Sequence, residues 1–234
     1  MSRFDPTKLV HRAGYPFIAI AAVLAVFLSF FGGGPLMVGL VLLGWVIYFF
    51  RDPDRVTPVK PGLVVAPADG RIVAITEVIP DPDLGLGSEL HTRISIFLNV
   101  FDVHVNRTPI DGEVVHVNYR PGKFLNAALD KASVDNERNA IALVMEGDHP
   151  YAGKRIGVVQ IAGLIARRIL CEVYLKNKLQ TGERFGMIRF GSRTDVYLPL
   201  GITPLVCVGQ RAVGGETILA DCKGQAEPRR GEVR

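Results

Sequence analysis

Two neighbours, Gly191 and Ser192, carry the most distinctive chemistry in the chain. They stand in Arg189-Phe190-Gly191-Ser192-Arg193-Thr194-Asp195, between strand-like runs at 184–188 and 196–200. By itself such a pair is a turn, because Gly permits positive φ and Ser bonds locally. The sharper reading is a bond that cuts itself. The Ser hydroxyl attacks the preceding Gly carbonyl, and glycine leaves room for the attack. A hydroxyl needs a base to become a nucleophile. His104 is one candidate, although a lone His in a strand is more often structural. Asp69 is either a turn aspartate or the group that orients that His. Together they form an activated-nucleophile set, recognised by role and not by chain order. The Gly-x-Ser-x-Gly elbow of ordinary serine hydrolases is absent. Self-processing suits a Ser in an extended turn between strands. No Walker-type loop, dinucleotide fingerprint or His/Cys metal cluster occurs in the sequence, so no metal is expected.

These residues must be held by a β-rich body. The linker prolines Pro53, Pro58 and Pro61 precede it. Runs rich in β-branched residues follow at 63–66, 71–78, 93–98, 112–117, 140–145 and 156–161. Two of them start alike. Pro67-Ala68-Asp69-Gly70-Arg71-Ile72-Val73 and Pro109-Ile110-Asp111-Gly112-Glu113-Val114-Val115 both give a tight Asp-Gly turn and then a strand. A duplicated β unit is one reading of this pair. A helix is expected at 123–131, where Phe124, Ala127, Ala128 and Leu129 have helical spacing. The run 164–170 reads equally as helix or strand, and the polar tail from Cys222 reads as frayed. The expected fold class is α+β: a mostly antiparallel sandwich or barrel-like body with few helices, behind a hydrophobic N-terminal hairpin.

The hairpin accounts for the composition. The 234 residues are 48% hydrophobic, and the excess lies in the first quarter of the chain. Residues 15–50 include no charged residue and no histidine. Gly32-Gly33-Gly34-Pro35 divides them into two apolar runs, 15–31 and 36–50. As helices these are about 26 and 23 Å long at about 1.5 Å per residue, short of a ~30 Å hydrocarbon core. Two short spans and a hairpin dipping into one leaflet both remain open. Arg3, Lys8 and Arg12 precede the run, and Arg51, Arg55 and Lys60 follow it, which places both ends on the cytoplasmic side. A signal peptide is excluded by the length of the apolar part. Two domains are expected: a membrane-associated hairpin at 1–55 and a body at 56–234. The net charge of +4 suits an anionic surface. No dense basic run argues for nucleic acid. The three cysteines, Cys171, Cys207 and Cys222, lack metal spacing and read as reduced thiols.

Several separated motifs recur in order. Pro67-Ala68-Asp69-Gly70 is followed by the His104 segment, Phe97-Leu98-Asn99-Val100-Phe101-Asp102-Val103-His104-Val105-Asn106-Arg107-Thr108-Pro109. Then come Arg120-Pro121-Gly122-Lys123-Phe124-Leu125-Asn126-Ala127, Asp130-Lys131-Ala132-Ser133, Asn136-Glu137-Arg138-Asn139 and Phe190-Gly191-Ser192. Over residues 50–225 this closely resembles the short, bacterial and archaeal type of phosphatidylserine decarboxylase proenzyme. The sequence departs from the longer members in two places. Arg193 follows Ser192 where they carry Thr, and Phe101 stands where they carry a second His.

The resemblance implies self-cleavage between Gly191 and Ser192, with His104 as the base and Asp69 holding its tautomer. The products are a β chain, 1–191, and an α chain, 192–234, which stay together as a heterodimer. Ser192 becomes a covalent pyruvoyl cofactor that forms a Schiff base with the substrate amine. Phosphatidylserine then loses CO₂ and leaves as phosphatidylethanolamine. Phe101 is the candidate for an apolar surround of the carboxylate, and Arg167 and Arg168 are candidates for its phosphate. The implied location is the cytoplasmic face of the cell membrane, in contact with membrane lipid; a higher oligomer is left open. The alternatives are a membrane-anchored β domain with a binding or scaffold role, and a pyruvoyl decarboxylase for another amine-bearing carboxylate.

Overall fold

The computed structural model describes residues 9–122, 136–163, 168–189 and 192–224. Two units make up the chain: Met1–Asp54 with Phe101–Val103, and Arg55–Val100 with His104–Arg234.

In the first unit, α1 (Tyr15–Ser29) and α2 (Gly33–Phe49) form the hairpin. Gly32 joins them at φ 108°, a conformation that L side chains rarely adopt. The helices meet through small residues. Ala21, Ala25 and Gly39 are buried, and a Cβ on Gly39 would fall on the Ala25 backbone. Close approach through small side chains is how helices pack where lipid surrounds them. The large side chains turn outward: Val23, Phe30, Val38 and Val41 are all exposed. Arg12–Ser29 is long and apolar enough to cross a membrane, by length and composition, while Gly33–Phe49 is shorter. The hairpin closes at its base through an antiparallel bridge between Val10 and Arg51. Arg51 also donates to the carbonyls of Tyr48 (2.8 Å) and Phe101 (2.7 Å).

The second unit holds the strands, numbered in chain order. They are β1 (Leu63–Val65), β2 (Gly70–Val78), β3 (His91–Leu98), β4 (Val105–Arg107), β5 (Gly112–Arg120), β6 (Arg138–Met145) and β7 (Arg155–Ala162). After them come β8 (Ile169–Cys171), β9 (Lys178–Leu179), β10 (Arg184–Ile188), β11 (Ser192–Pro199), β12 (Arg211–Ala212) and β13 (Ile218–Asp221). Eight form one curled antiparallel sheet in the order β12-β2-β3-β11-β7-β6-β5-β9. A second sheet has the order β4-β10-β8, and β1 pairs with β13. This is the expected α+β class. The two Asp-Gly motifs also behave alike. Each opens a nine-residue strand, β2 or β5, and each strand shifts register at its fourth residue, Val73 or Val115. The pairs β2-β3 and β6-β5 then flank the central strands β11 and β7 on opposite sides.

The registers lay the core out in rungs, because directly opposed residues share a face. One rung runs Ile75, Ile94, Val196, Val158, Ile141. Of these only Ile75 is partly exposed. The next rung toward the Ser192 end runs Ile72, Ile96, Thr194, Gln160, Asn139. The last joins Leu98, Ser192 and Ala162. The inner face thus changes from aliphatic to polar within two residues, while remaining buried. The opposite face is covered by Leu84 and Leu86, which pack on Ala140, Ala142, Val159, Ile161 and Tyr197.

Three expectations change. The strand placed at 196–200 starts four positions earlier, so Ser192 lies in the sheet and not in a turn. Its polar first half can be strand because it is paired on both sides, with Leu98 and with Ala162. Of the ambiguous run, Ile169–Cys171 is strand, and 164–167 lie outside the described residues, as does the helix expected at 123–131. The tail is packed at its start: Cys222 is buried and its N–H donates to the Gly62 carbonyl at 2.8 Å.

The turn at Asp69 leaves no room for a side chain at Gly70, where a Cβ would strike the Phe97 carbonyl. Gly70→Ala is expected to destabilise the protein by about 1–3 kcal/mol, the usual range for overpacking. A urea midpoint equal to that of the wild type would show that the strands yield there without strain.

Candidate functional site

Ser192 is the first residue of β11 and is fully buried. Its Oγ has no hydrogen-bond partner among the described residues. A buried hydroxyl with nothing to bond is uncommon, since most buried polar groups are paired. In chain order β3 of the large sheet is followed by β4 of the small one, and β10 of the small sheet by β11 of the large one. Leu98, the last residue of β3, opposes Ser192. At the end of β10 the Ile188 N–H donates to the His104 carbonyl at 3.2 Å. The pairing thus sets His104 against the strand that precedes Ser192 in the chain. His104 is wholly buried.

Asp69 belongs to the same end. The Arg107 N–H donates to the Pro67 carbonyl at 2.8 Å, which ties the Asp69 turn to β4 just after His104. The carboxylate is held by Arg55 Nη2, at 3.0 and 2.8 Å from its two oxygens, and by the Gly214 N–H at 2.8 Å. These charge-assisted bonds fix the carboxylate in place.

The polar rung lies beside this group. Asn139 Nδ2 donates to Gln160 Oε1 at 3.0 Å, and Gln160 Nε2 donates to Asn106 Oδ1 at 2.8 Å. All three residues are buried. Asn106 is in β4, opposite Gly186. A Cβ on Gly186 would strike the Leu170 carbonyl and crowd Gln160, so only glycine lets the small sheet close over the rung. The neighbours of Asn139 are equally committed. Asn136 Nδ2 donates to the Ala162 carbonyl at 2.6 Å, and the Glu137 carboxylate accepts from Tyr119 Oη at 3.0 Å. Arg138 reaches Asp81 at 2.7 Å.

This arrangement coincides with a family match. The chain matches the family described as phosphatidylserine decarboxylase over residues 42–220. It is 55% identical over 227 residues to a phosphatidylserine decarboxylase proenzyme of Cereibacter sphaeroides, covering 97% of this chain and 96% of that one. A protein of the same description from Rickettsia felis is 52% identical over 217 residues, covering 93% and 92%. The chain belongs to the phosphatidylserine decarboxylase family. Its relatives are carboxy-lyases.

The two departures from the longer decarboxylases have physical consequences. Arg193 points to the opposite face from Ser192, because neighbours along a strand alternate. There it meets Asp195, with Nη2 2.8 Å from Oδ2 and Nε 2.8 Å from Oδ1. The pair is almost wholly buried, and the Arg193 charge is neutralised away from the Ser192 face. Phe101 is 60% exposed. The open clefts of about 620 and 660 Å³ elsewhere on the second unit are not lined by Ser192, His104 or Asp69. Ser192 and His104 are both wholly buried.

Gln160 and Asn106 were not singled out from the sequence. The available signal was one polar residue inside the apolar run 156–162, Ile-Gly-Val-Val-Gln-Ile-Ala.

Asp195→Asn would remove the carboxylate charge 2.8 Å from the buried Arg193 and is expected to cost about 3–5 kcal/mol. An unchanged melting temperature would contradict this. Tyr197, next to the pair, has its pKa raised from 10.0 to about 12, by burial first and the Asp195 charge second. A raised pKa contributes stability that is complete below pH 10 and is lost as pH rises toward about 12. Tyr197→Phe should flatten the stability profile across that window, as followed by urea titrations at stepped alkaline pH.

Proposed function

We propose that this chain is the precursor of a phosphatidylserine decarboxylase that cuts itself between Gly191 and Ser192 and converts phosphatidylserine to phosphatidylethanolamine. The observation that carries the reading is the buried, unpartnered Ser192 hydroxyl at the start of a central strand. A serine whose hydroxyl is consumed has no need of a lasting hydrogen bond. The residues present suit a pyruvoyl group made from Ser192. That position becomes a strand's first residue and a new chain terminus, and the surrounding face is closed to water. The group would supply a carbonyl for the substrate amine and a conjugated sink for the electrons left by CO₂.

The chain's own residues have these roles. His104 takes the Ser192 proton during cleavage and serves as the base nearest the reacting atoms. Asp69, held by Arg55 and Gly214, orients His104 and stabilises its charged form. The fragments 1–191 and 192–234 stay together as a heterodimer, because β11 lies between β3 and β7, β12 pairs with β2, and β13 with β1. Arg168 and Arg189 are suited to the phosphate of the lipid. The Arg189 N–H bonds the Arg168 carbonyl at 3.3 Å. The Arg189 guanidinium is lowered from its usual pKa by burial first and by the Arg168 charge second, so a bound anion would relieve both side chains.

Residues 1–55 would act as the membrane hairpin and 56–234 as the decarboxylase domain, on the cytoplasmic face of the cell membrane. Holding the enzyme at the interface spares it from lifting acyl chains into water, at about 0.8 kcal/mol per CH₂.

The test is the state of the purified chain. Wild type is expected as two fragments whose masses sum to the 25.5 kDa precursor plus one water and less one ammonia, the smaller one blocked at its amino terminus. Ser192→Ala is expected as one uncut chain without decarboxylase activity. His104→Ala and Asp69→Asn should block or slow the cut. An intact wild-type chain that still releases CO₂ from phosphatidylserine would overturn the pyruvoyl mechanism.

A further inference from the structure

The buried polar rung includes an amide donor that no described residue uses. The bonding fixes its direction. Gln160 Nε2 lies 3.3 Å from the Leu170 carbonyl as well as 2.8 Å from Asn106. A carbonyl oxygen can only accept, so the Gln160 atom facing it must be the nitrogen. The Asn106 atom that receives that nitrogen must then be its oxygen. Asn139, donating to Gln160 Oε1 at 3.0 Å, holds the same orientation from the other side. Asn106 Nδ2 is left pointing away from the relay. Asn106 is wholly buried, and that nitrogen has no partner.

Its position is set by the registers. Gln160 opposes Thr194, and Ser192 is two residues further along the same face of β11, about 6.6 Å on at the usual rise per residue. His104 lies two residues before Asn106 in the chain. The unspent donor therefore belongs to the same buried end as Ser192 and His104. Thr194 Oγ1, on the Ser192 face, is also without a partner.

We infer that Asn106 Nδ2 binds the carboxylate of the amine-bearing substrate, with Gln160 and Asn139 as positioning residues that hold the amide the right way round. The inference rests on the pyruvoyl reading above and deepens it. A neutral amide is well matched to a carboxylate that must leave as CO₂. An arginine would stabilise the charged ground state and oppose its loss, whereas one neutral hydrogen bond orients the group and gives up little when the charge goes. The donor is sealed in the uncut chain.

The test compares two lipids that differ only in the carboxylate. Full-length wild type, Asn106→Asp and Gln160→Glu are purified in detergent, and cleavage of each is scored by mass. Each is then incubated with phosphatidylserine or phosphatidylethanolamine in mildly alkaline buffer and reduced with borohydride. Lipid fixed to the 192–234 fragment is measured against lipid concentration. Asn106→Asp keeps the acceptor for Gln160 and replaces the donor with an acceptor. Gln160→Glu draws the Asn106 amide back toward itself. Both should raise the half-saturating concentration of phosphatidylserine at least about tenfold (about 1.4 kcal/mol) and that of phosphatidylethanolamine less than about twofold. Equal losses for both lipids would mark a packing role and overturn the inference, as would unchanged phosphatidylserine capture in either variant. If Asn106→Asp fails to cleave, Gln160→Glu alone decides. A cleaved wild type that fixes neither lipid would overturn the pyruvoyl reading, and the carboxylate assignment with it.

Discussion

The structure depends on keeping a row of polar side chains inside an aliphatic sheet. Thr194, Gln160 and Asn139 occupy a rung directly next to one built from Ile94, Val196, Val158 and Ile141. Burying amides is costly unless their bonds are made. The small sheet β4-β10-β8 meets most of that demand by bringing Asn106 and the Leu170 carbonyl over Gln160. The same closure pairs the His104 carbonyl with Ile188 at the end of β10.

The opposite face solves a related problem differently. Arg193 and Asp195 neutralise each other on β11, and Arg138 turns to Asp81. Charges adjacent in sequence to the reactive residue are retired to the far side of the sheet. The strand's alternation keeps the Ser192 face free of permanent charge from its own neighbours.

Much of this was legible in the sequence. The β-branched runs located most of the large strands to within a few residues, and the two Asp-Gly motifs foretold a doubled strand pattern whose register shifts at Val73 and Val115 now match. Gly191-Ser192, His104 and Asp69 each read alone as a turn or structural residue, and only the order of the motifs around them singled them out. The start of β11 was misplaced because Ser192 to Asp195 is polar, and only long-range pairing on both sides makes it strand. Gln160 and Asn106 were missed for the same reason. Their value comes from meeting across two sheets, and no local pattern encodes a partner that distant.

The central position of β11 has a consequence for the life of the protein. A sheet whose middle strand arrives on a separate fragment cannot be rebuilt by one chain folding alone. Once cut before Ser192, the molecule would refold only by a second-order encounter of two pieces, one of them short and with little core of its own. The uncut chain closes the same sheet at first order. The precursor would then act as an internal assembly template used a single time. The matured protein would persist through slow unfolding, by kinetic and not equilibrium stability.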